Sequence, residues 1–158
     1  MAVLIGAYES AIDAKRRLAI SAGLREQINA KTDGHDFILV VGPDRHLWLY
    51  PDRFYRKVLA TIKPSPLPDR RTQKIRLLFG MARPLKSDAQ GRVVLPEDSV
   101  QWATVSEQVT LVGMFDHIEI WPRQEWASHV QDGLKDYGEM LFQAAEQVRA
   151  EGGGTVQP

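Results

Sequence analysis

Apolar and polar positions alternate along two well-separated stretches, Leu39–Pro51 (LVVGPDRHLWLYP) and Leu111–Pro122 (LVGMFDHIEIWP). In each, an apolar run meets a turn holding Asp and His, and a second run then alternates: Leu47 and Leu49 before Tyr50-Pro51, Ile118 and Ile120 before Trp121-Pro122. Period-2 alternation on both sides of a short polar turn predicts a β-hairpin in each stretch. Pro51 and Pro122 stop the second strands and open helices, since proline is tolerated in a first helical turn. Upstream of the first hairpin, Leu4–Ala7 and the segment with Leu18 and Ile20 read as strands, and residues 22–28 as a short helix. Upstream of the second, Val93 and Leu95 mark a strand, and Pro96 and Glu97 open a turn of helix.

The order of elements therefore occurs twice. AIDAKRRLAI (Ala11–Ile20) also has a near-copy in KSDAQGRVVL (Lys86–Leu95), in which Asp13 and Arg17 reappear as Asp88 and Arg92. Two such halves, each too small for its own core, would bury their apolar faces against one another. The expectation is one closed or nearly closed β-barrel of approximate two-fold symmetry, with added helices, in the α+β class. KPSPLPD, with three prolines in Lys63–Asp69, predicts a stiff connector. A helix is expected over residues 69–81, with Ile75, Leu78 and Phe79 on one face. A C-terminal helix is expected from Arg123, carrying Trp126, Val130, Leu134, Tyr137, Leu141 and Val148 as a near-heptad stripe that Gly133 and Gly138 weaken. The tail GGGTVQP is predicted to be disordered. The resulting domain boundaries are a first half over 1–62, a connector and basic helix over 63–81, a second half over 82–130, and a C-terminal helix and tail over 131–158.

Charge changes this picture more than composition does. The net charge is zero, yet residues 1–80 hold 14 Lys and Arg against 8 Asp and Glu, and residues 81–158 hold 6 against 12. Eight cations and one anion, Asp69, lie between Arg53 and Arg76. Such asymmetry suits a polyanion on one side of the molecule, or one copy of the chain against another; a solvated helix face is the plain alternative. With no cysteine, thiolate metal sites, disulfides and a cysteine nucleophile are excluded, as suits a reducing cytoplasm. The N-terminus has no basic region before its short apolar run, so neither a signal peptide nor a membrane span is expected.

The two Asp-x-x-x-Arg corners, DAKRRLAIS and DAQGRVVLP, together with the aromatic-proline hairpins LWLYP and IEIWP, resemble the MraZ family of bacterial transcriptional regulators. The resemblance covers residues 4–130. It implies two SpoVT/AbrB-like swapped-hairpin halves and regulation of the division and cell-wall gene cluster, including the protein's own promoter. It also implies a nucleoid-associated cytoplasmic location, double-stranded promoter repeats as partner and a homo-oligomeric ring. Carried over by residue, it assigns DNA contact to Arg17 and Arg92, with Asp13 and Asp88 shaping the corners.

Residue chemistry leads to the same place independently. An aspartate at a chain reversal accepts hydrogen bonds from backbone N–H groups two or more residues on. The arginine four residues later then leaves the strand at a defined angle, with a planar fork suited to phosphate or to the O6/N7 edge of guanine. Surface ion pairs that merely hold turns together are the alternative; the duplication, and Lys15 and Arg16 in the first copy, favour DNA contact. The copies differ where Gly91 corresponds to Arg16 and Pro96 to Ser21. Glycine supplies a positive φ without strain, so Arg16 predicts a different first turn, with either an added phosphate contact or a distorted reading geometry.

Other candidates carry less. His46 and His117, beside Asp44 and Asp116, have the composition of a metal or acid–base site, but Asp suits hairpin turns and the histidines read as surface neighbours. His35 and His129 have no supporting pattern. Trp48, Tyr50, Trp121 and Trp126 could stack single-stranded bases or fill a core or subunit contact. No phosphate-cradling loop, nucleophile elbow or HExxH motif is present, so neither an enzyme, a cofactor, a metal nor a small-molecule substrate is expected. The competing function is a protein-binding module of the antitoxin type, which a swapped-hairpin barrel would serve equally well.

Overall fold

The computed structural model describes residues 2–152. The chain divides into two units, Met1–Arg123 and Gln124–Pro158. The predicted disordered tail beyond Gly152 lies outside the described residues.

In the first unit the chain forms β1 (Ala7–Ala11), β2 (Arg17–Ala19), α1 (Ala22–Arg25), β3 (Phe37–Val41), β4 (Leu47–Pro51) and α2 (Asp52–Ala60). It continues through α3 (Arg70–Lys74), α4 (Arg76–Gly80), β5 (Arg83–Leu85), β6 (Arg92–Val94), α5 (Glu97–Trp102), β7 (Gln108–Met114) and β8 (His117–Pro122). Both predicted hairpins form, β3–β4 and β7–β8, and each ends in proline. Pro51 caps α2, and Pro122 is followed by α6 (Arg123–Gly133).

Six strands make one antiparallel sheet in the order β1-β7-β8-β4-β3-β5, and β2 and β6 form a separate two-stranded ladder. The order is unchanged when every strand is exchanged for the one four places along and the sheet is turned end for end. Strands from the two ends of the chain interleave throughout: β1 pairs with β7, β4 with β8, β3 with β5 and β2 with β6. The sheet is open, not the closed barrel expected. Its edges, β1 and β5, are not paired with each other. Pro84, at the centre of the three-residue β5, has no N–H to donate to a further strand.

The core combines residues from the whole first unit: Leu18, Ile20 and Leu24 meet Leu39, Leu47 and Leu49, then Val93, Leu95, Leu111, Ile118 and Ile120. Leu18 and Val93, partners at the middle of the small ladder, are the residues that anchor it to this core. Full burial of a Leu or Val is worth about 1.5–3 kcal/mol over its exposed state.

Three predicted elements are displaced. The first strand starts at Ala7, because Gly6 turns the chain at φ +100°, and Leu4 joins Phe115 by an isolated bridge while its side chain packs in the core. The helix over residues 69–81 divides at Ile75 (φ −92°, ψ 6°). Leu78 and Phe79, expected with Ile75 on one helix face, are exposed, while Arg70 and Lys74 place like charges one turn apart. In the second unit the C-terminal helix is interrupted after Gly133 by a turn of 3₁₀ helix (Leu134–Asp136), before α7 (Tyr137–Gly152). Its apolar stripe at Leu134, Tyr137, Leu141 and Val148 is exposed.

Candidate nucleic-acid interface

The Asp-x-x-x-Arg segments form the same corner twice. Asp13 Oδ1 accepts the backbone N–H groups of Lys15 and Arg17, both at 2.9 Å, and Oδ2 accepts Arg17 Nε at 2.6 Å. Asp88 Oδ1 accepts those of Gln90 and Arg92, again at 2.9 Å, and Oδ2 accepts Arg92 Nε at 2.8 Å. The backbone closes alike in the two: Asp13 N–H donates to Arg17 O at 3.1 Å, and Asp88 N–H to Arg92 O at 2.9 Å. These bonds, led by the backbone N–H of Arg17 or Arg92, hold both carboxyls below the usual aspartate range. Each contact with Nε uses one of five guanidinium donors, so the terminal nitrogens remain available. Exposed pairs of this type add little to stability; their effect is to set the direction in which each arginine leaves the chain.

The β2–β6 ladder then places the arginines together. Arg17 stands opposite Val94 and Arg92 opposite Ala19, with Leu18 and Val93 between them. Partners in an antiparallel pair share a face and successive residues alternate. Leu18 and Val93 are buried, so Arg17, Ala19, Arg92 and Val94 all project on the other side. The two arginines are diagonal neighbours on that face, a relation that spans about 7–8 Å in antiparallel sheets. Lys15 is exposed at the tip of the first corner. A two-stranded ribbon of this type fits the major groove of B-DNA.

Arg16 departs from expectation. The first corner is not a different turn: Arg16 takes the left-handed conformation at φ +61°, beside +76° for Gly91. Its side chain runs back to the protein, with Nε donating to Leu95 O at 2.9 Å. Arg25, which the sequence did not single out, lies against Gly91, where an added Cβ would come within 2.5 Å of its Nε. No local pattern announces a contact between positions so far apart in the chain.

The hairpin histidines are buried, contrary to their expected surface positions; His46 is 2% exposed and His117 6%. Aromatic rings of the other hairpin cover them. The His117 ring stacks on Trp48 at a centroid distance of 4.0 Å, and the His46 ring lies 4.1 Å from that of Trp121. Tyr50 stacks on Tyr55 of α2 at 4.2 Å. Trp48, Tyr50 and Trp121 thus pack within the protein. His117 Nδ1 bonds Asp116 at 2.7 Å and Nε2 bonds Glu119 at 2.9 Å, so both ring nitrogens are engaged. Burial opposes the imidazolium, but the bonds to Glu119 and Asp116 outweigh it and raise the His117 pKa. Burial likewise opposes the Glu119 carboxylate, and the His117 and Trp121 donors outweigh it, lowering that pKa. Among the described residues no three His, Asp or Glu side chains are grouped to hold a metal ion. Nor is any helix there long and apolar enough to cross a membrane.

Fold and site together define an α+β protein whose antiparallel sheet supports a small ribbon with two carboxylate-clamped arginines. Comparison with known proteins assigns its family. The family model described as "MraZ protein, putative antitoxin-like" matches residues 3–76 and 78–139. Proteins named transcriptional regulator MraZ are similar along most of their length. The one from Herpetosiphon aurantiacus is 36% identical over 95% of this chain and 99% of its own, and that from Clostridium tetani 29% over 91% and 98%. The one from Chromobacterium violaceum is 35% identical over 78% and 83%. The chain belongs to the MraZ family.

Proposed function

We propose that this protein is a sequence-specific DNA-binding transcriptional regulator whose reading edge is the β2–β6 ribbon. The observation that carries the proposal is the common geometry of Arg17 and Arg92, each clamped through Nε by its own aspartate on one exposed ribbon face. The naming of its relatives as transcriptional regulators supports it. Arg17 and Arg92 contact base edges or phosphates, and Lys15 adds a phosphate contact. Asp13, Asp88 and Gly91 shape the corners. We propose promoter repeats as the DNA targets, before the division and cell-wall genes and before this protein's own gene, a reading that likeness to the family supports.

The interleaved strand order supports a duplicated swapped-hairpin architecture, with halves bounded as the repeat implies, over 1–62 and 82–130. It also supports a role for the assembled ribbon as one unit, because neither half alone contains both of its strands. Repeated DNA sites call for repeated ribbons. The basic first half and acidic second half suit head-to-tail association into a ring, and the exposed Tyr137, Leu141 and Val148 of α7 offer apolar surface for such contacts. Sedimentation at micromolar concentration, in low and high salt, is expected to show an oligomer; a monomer under both conditions would remove the ring from the proposal.

Binding to DNA from upstream of the protein's own gene, titrated against scrambled DNA of equal length at two salt concentrations, tests the central claim. Site-selective binding that weakens steeply with salt is expected, because each phosphate contact releases counterions. Equal binding to both DNAs at both salts would favour the protein-binding module instead.

A further inference from the structure

Positions 75 apart are equivalent through the corner and the helix after it. Arg25 N–H donates to Ser21 O at 3.0 Å, and Val100 N–H to Pro96 O at 3.1 Å; Ile20 N–H donates to Gly91 O at 3.0 Å, and Leu95 N–H to Arg16 O at 2.8 Å. On that register Arg16 corresponds to Gly91, Arg25 to Val100, and Ile20 to Leu95.

The two corresponding carbonyls, just beyond the ends of the ribbon strands, are capped alike. Ile20 O accepts Nε of Arg25 at 2.9 Å, and Leu95 O accepts Nε of Arg16 at 2.9 Å. The two arginines, however, occupy positions that do not correspond. At the second corner the guanidinium comes from α1 and lies over the bare Cα of Gly91. At the first, the corner residue supplies it, while the helix position that would have done so holds Val100, packed against the core.

We infer that Arg16 is a positioning residue, exchanged in concert with Val100: one pair, Arg16 and Val100, does at the first corner what Gly91 and Arg25 do at the second. The exchange accounts for a non-glycine residue at φ +61°. Left-handed backbone is unfavourable for an L-residue, and the charge-assisted bond to a strand-end carbonyl offsets that cost. The same bond ties the first corner, and with it Arg17, to the end of β6. For its effect on DNA this inference rests on the ribbon reading above; for its structural content it does not.

Two double-mutant cycles in thermal unfolding of the full-length chain test it. The first uses Arg16→Gly, Val100→Arg and the pair; the second uses Gly91→Arg, Arg25→Val and the pair, which transplants the first corner's arrangement to the second. In each cycle the double variant is expected to melt above the value that adding the single shifts predicts, because the replacement guanidinium recovers the carbonyl. Gly91→Arg alone is expected to lower the melting temperature more than it does alongside Arg25→Val, which removes the obstructing side chain. Additive shifts in either cycle that folds would overturn the inference.

The salt dependence of DNA binding separates positioning from phosphate contact. Arg16→Gly is expected to keep the native slope of log K against log salt, whereas loss of a phosphate contact lowers that slope by about one. A drop of that size for Arg16→Gly, with no recovery on adding Val100→Arg, would likewise overturn the inference. If the native protein shows no site-selective DNA binding, the ribbon reading falls and the melting cycles still decide the role of Arg16.

Discussion

Arg17 and Arg92 lie diagonally across one two-stranded ladder, Arg17 facing Val94 and Arg92 facing Ala19, on the side opposite the buried Leu18 and Val93. They come from corners 75 residues apart in sequence, yet a change to either alters a single surface. Arg17→Ala and Arg92→Ala are each expected to weaken binding to the cognate DNA by about 1–3 kcal/mol if the arginine reads a base. If it holds a phosphate, the salt slope falls by about one instead. Unfolding should stay close to native in both, since these pairs are exposed. A titration at several salt concentrations, beside a melting curve, distinguishes the cases.

On the proposed reading, Asp13 and Asp88 act on DNA through the arginines they clamp. Asp88→Ala should loosen site selectivity while leaving the melting temperature near native. The carboxyls are held below their ordinary pKa of 3.8, so they favour the folded corner above that pH, and the effect is lost as pH falls through the lower folded value. Between pH 6 and 8 the native corners should therefore show no pH dependence of their own, which NMR titration of the two carboxyls would check.

His117 behaves in the opposite sense. Its pKa is raised above 6.5 by Glu119 and Asp116 despite burial. A raised pKa means that the folded state holds the proton more tightly than the unfolded chain does. Its contribution is complete below the ordinary value and is lost as pH rises through the folded one. The melting temperature of the native protein should fall as pH rises from 6 to 8.5, and His117→Gln should flatten that decline. An unchanged pH profile in the variant would count against the charged triad.

Gly113 is a packing requirement. A Cβ there would lie 2.7 Å from Ile5 N and 2.8 Å from Leu4 C, both backbone atoms that cannot turn aside. Gly113→Ala is expected to cost about 1–3 kcal/mol, as overpacking usually does, and to release the Leu4–Phe115 bridge. Gly42→Ala meets the Trp48 indole instead. Denaturant unfolding of both variants compares a backbone obstruction with one made by a side chain.

Local chemistry determined the features that were legible in the sequence. The hairpins followed from alternation around Asp–His turns, and the helix starts from Pro51 and Pro122. The corners were legible because an aspartate side chain reaches N–H groups two to four residues along its own chain, wherever the rest of the protein lies. Pairing across the molecule was not legible. Whether the sheet closed depended on how a three-residue strand with Pro84 met its neighbours, and the fate of His46 and His117 depended on aromatic rings from the facing strand. The reading of Trp48, Tyr50 and Trp121 as filling a core or subunit contact pointed to a covered face without saying which rings would cover it.

The sequence by itself determined that two acid–arginine corners and two hairpins exist, because bonds within five residues and period-2 alternation need no distant partner. Only the tertiary structure decided that both arginines share one ribbon and that Arg16 turns inward. Those outcomes depend on contacts as far apart as Arg16 and Leu95, 79 residues along the chain, which form only when strands from the two halves interleave around a common core.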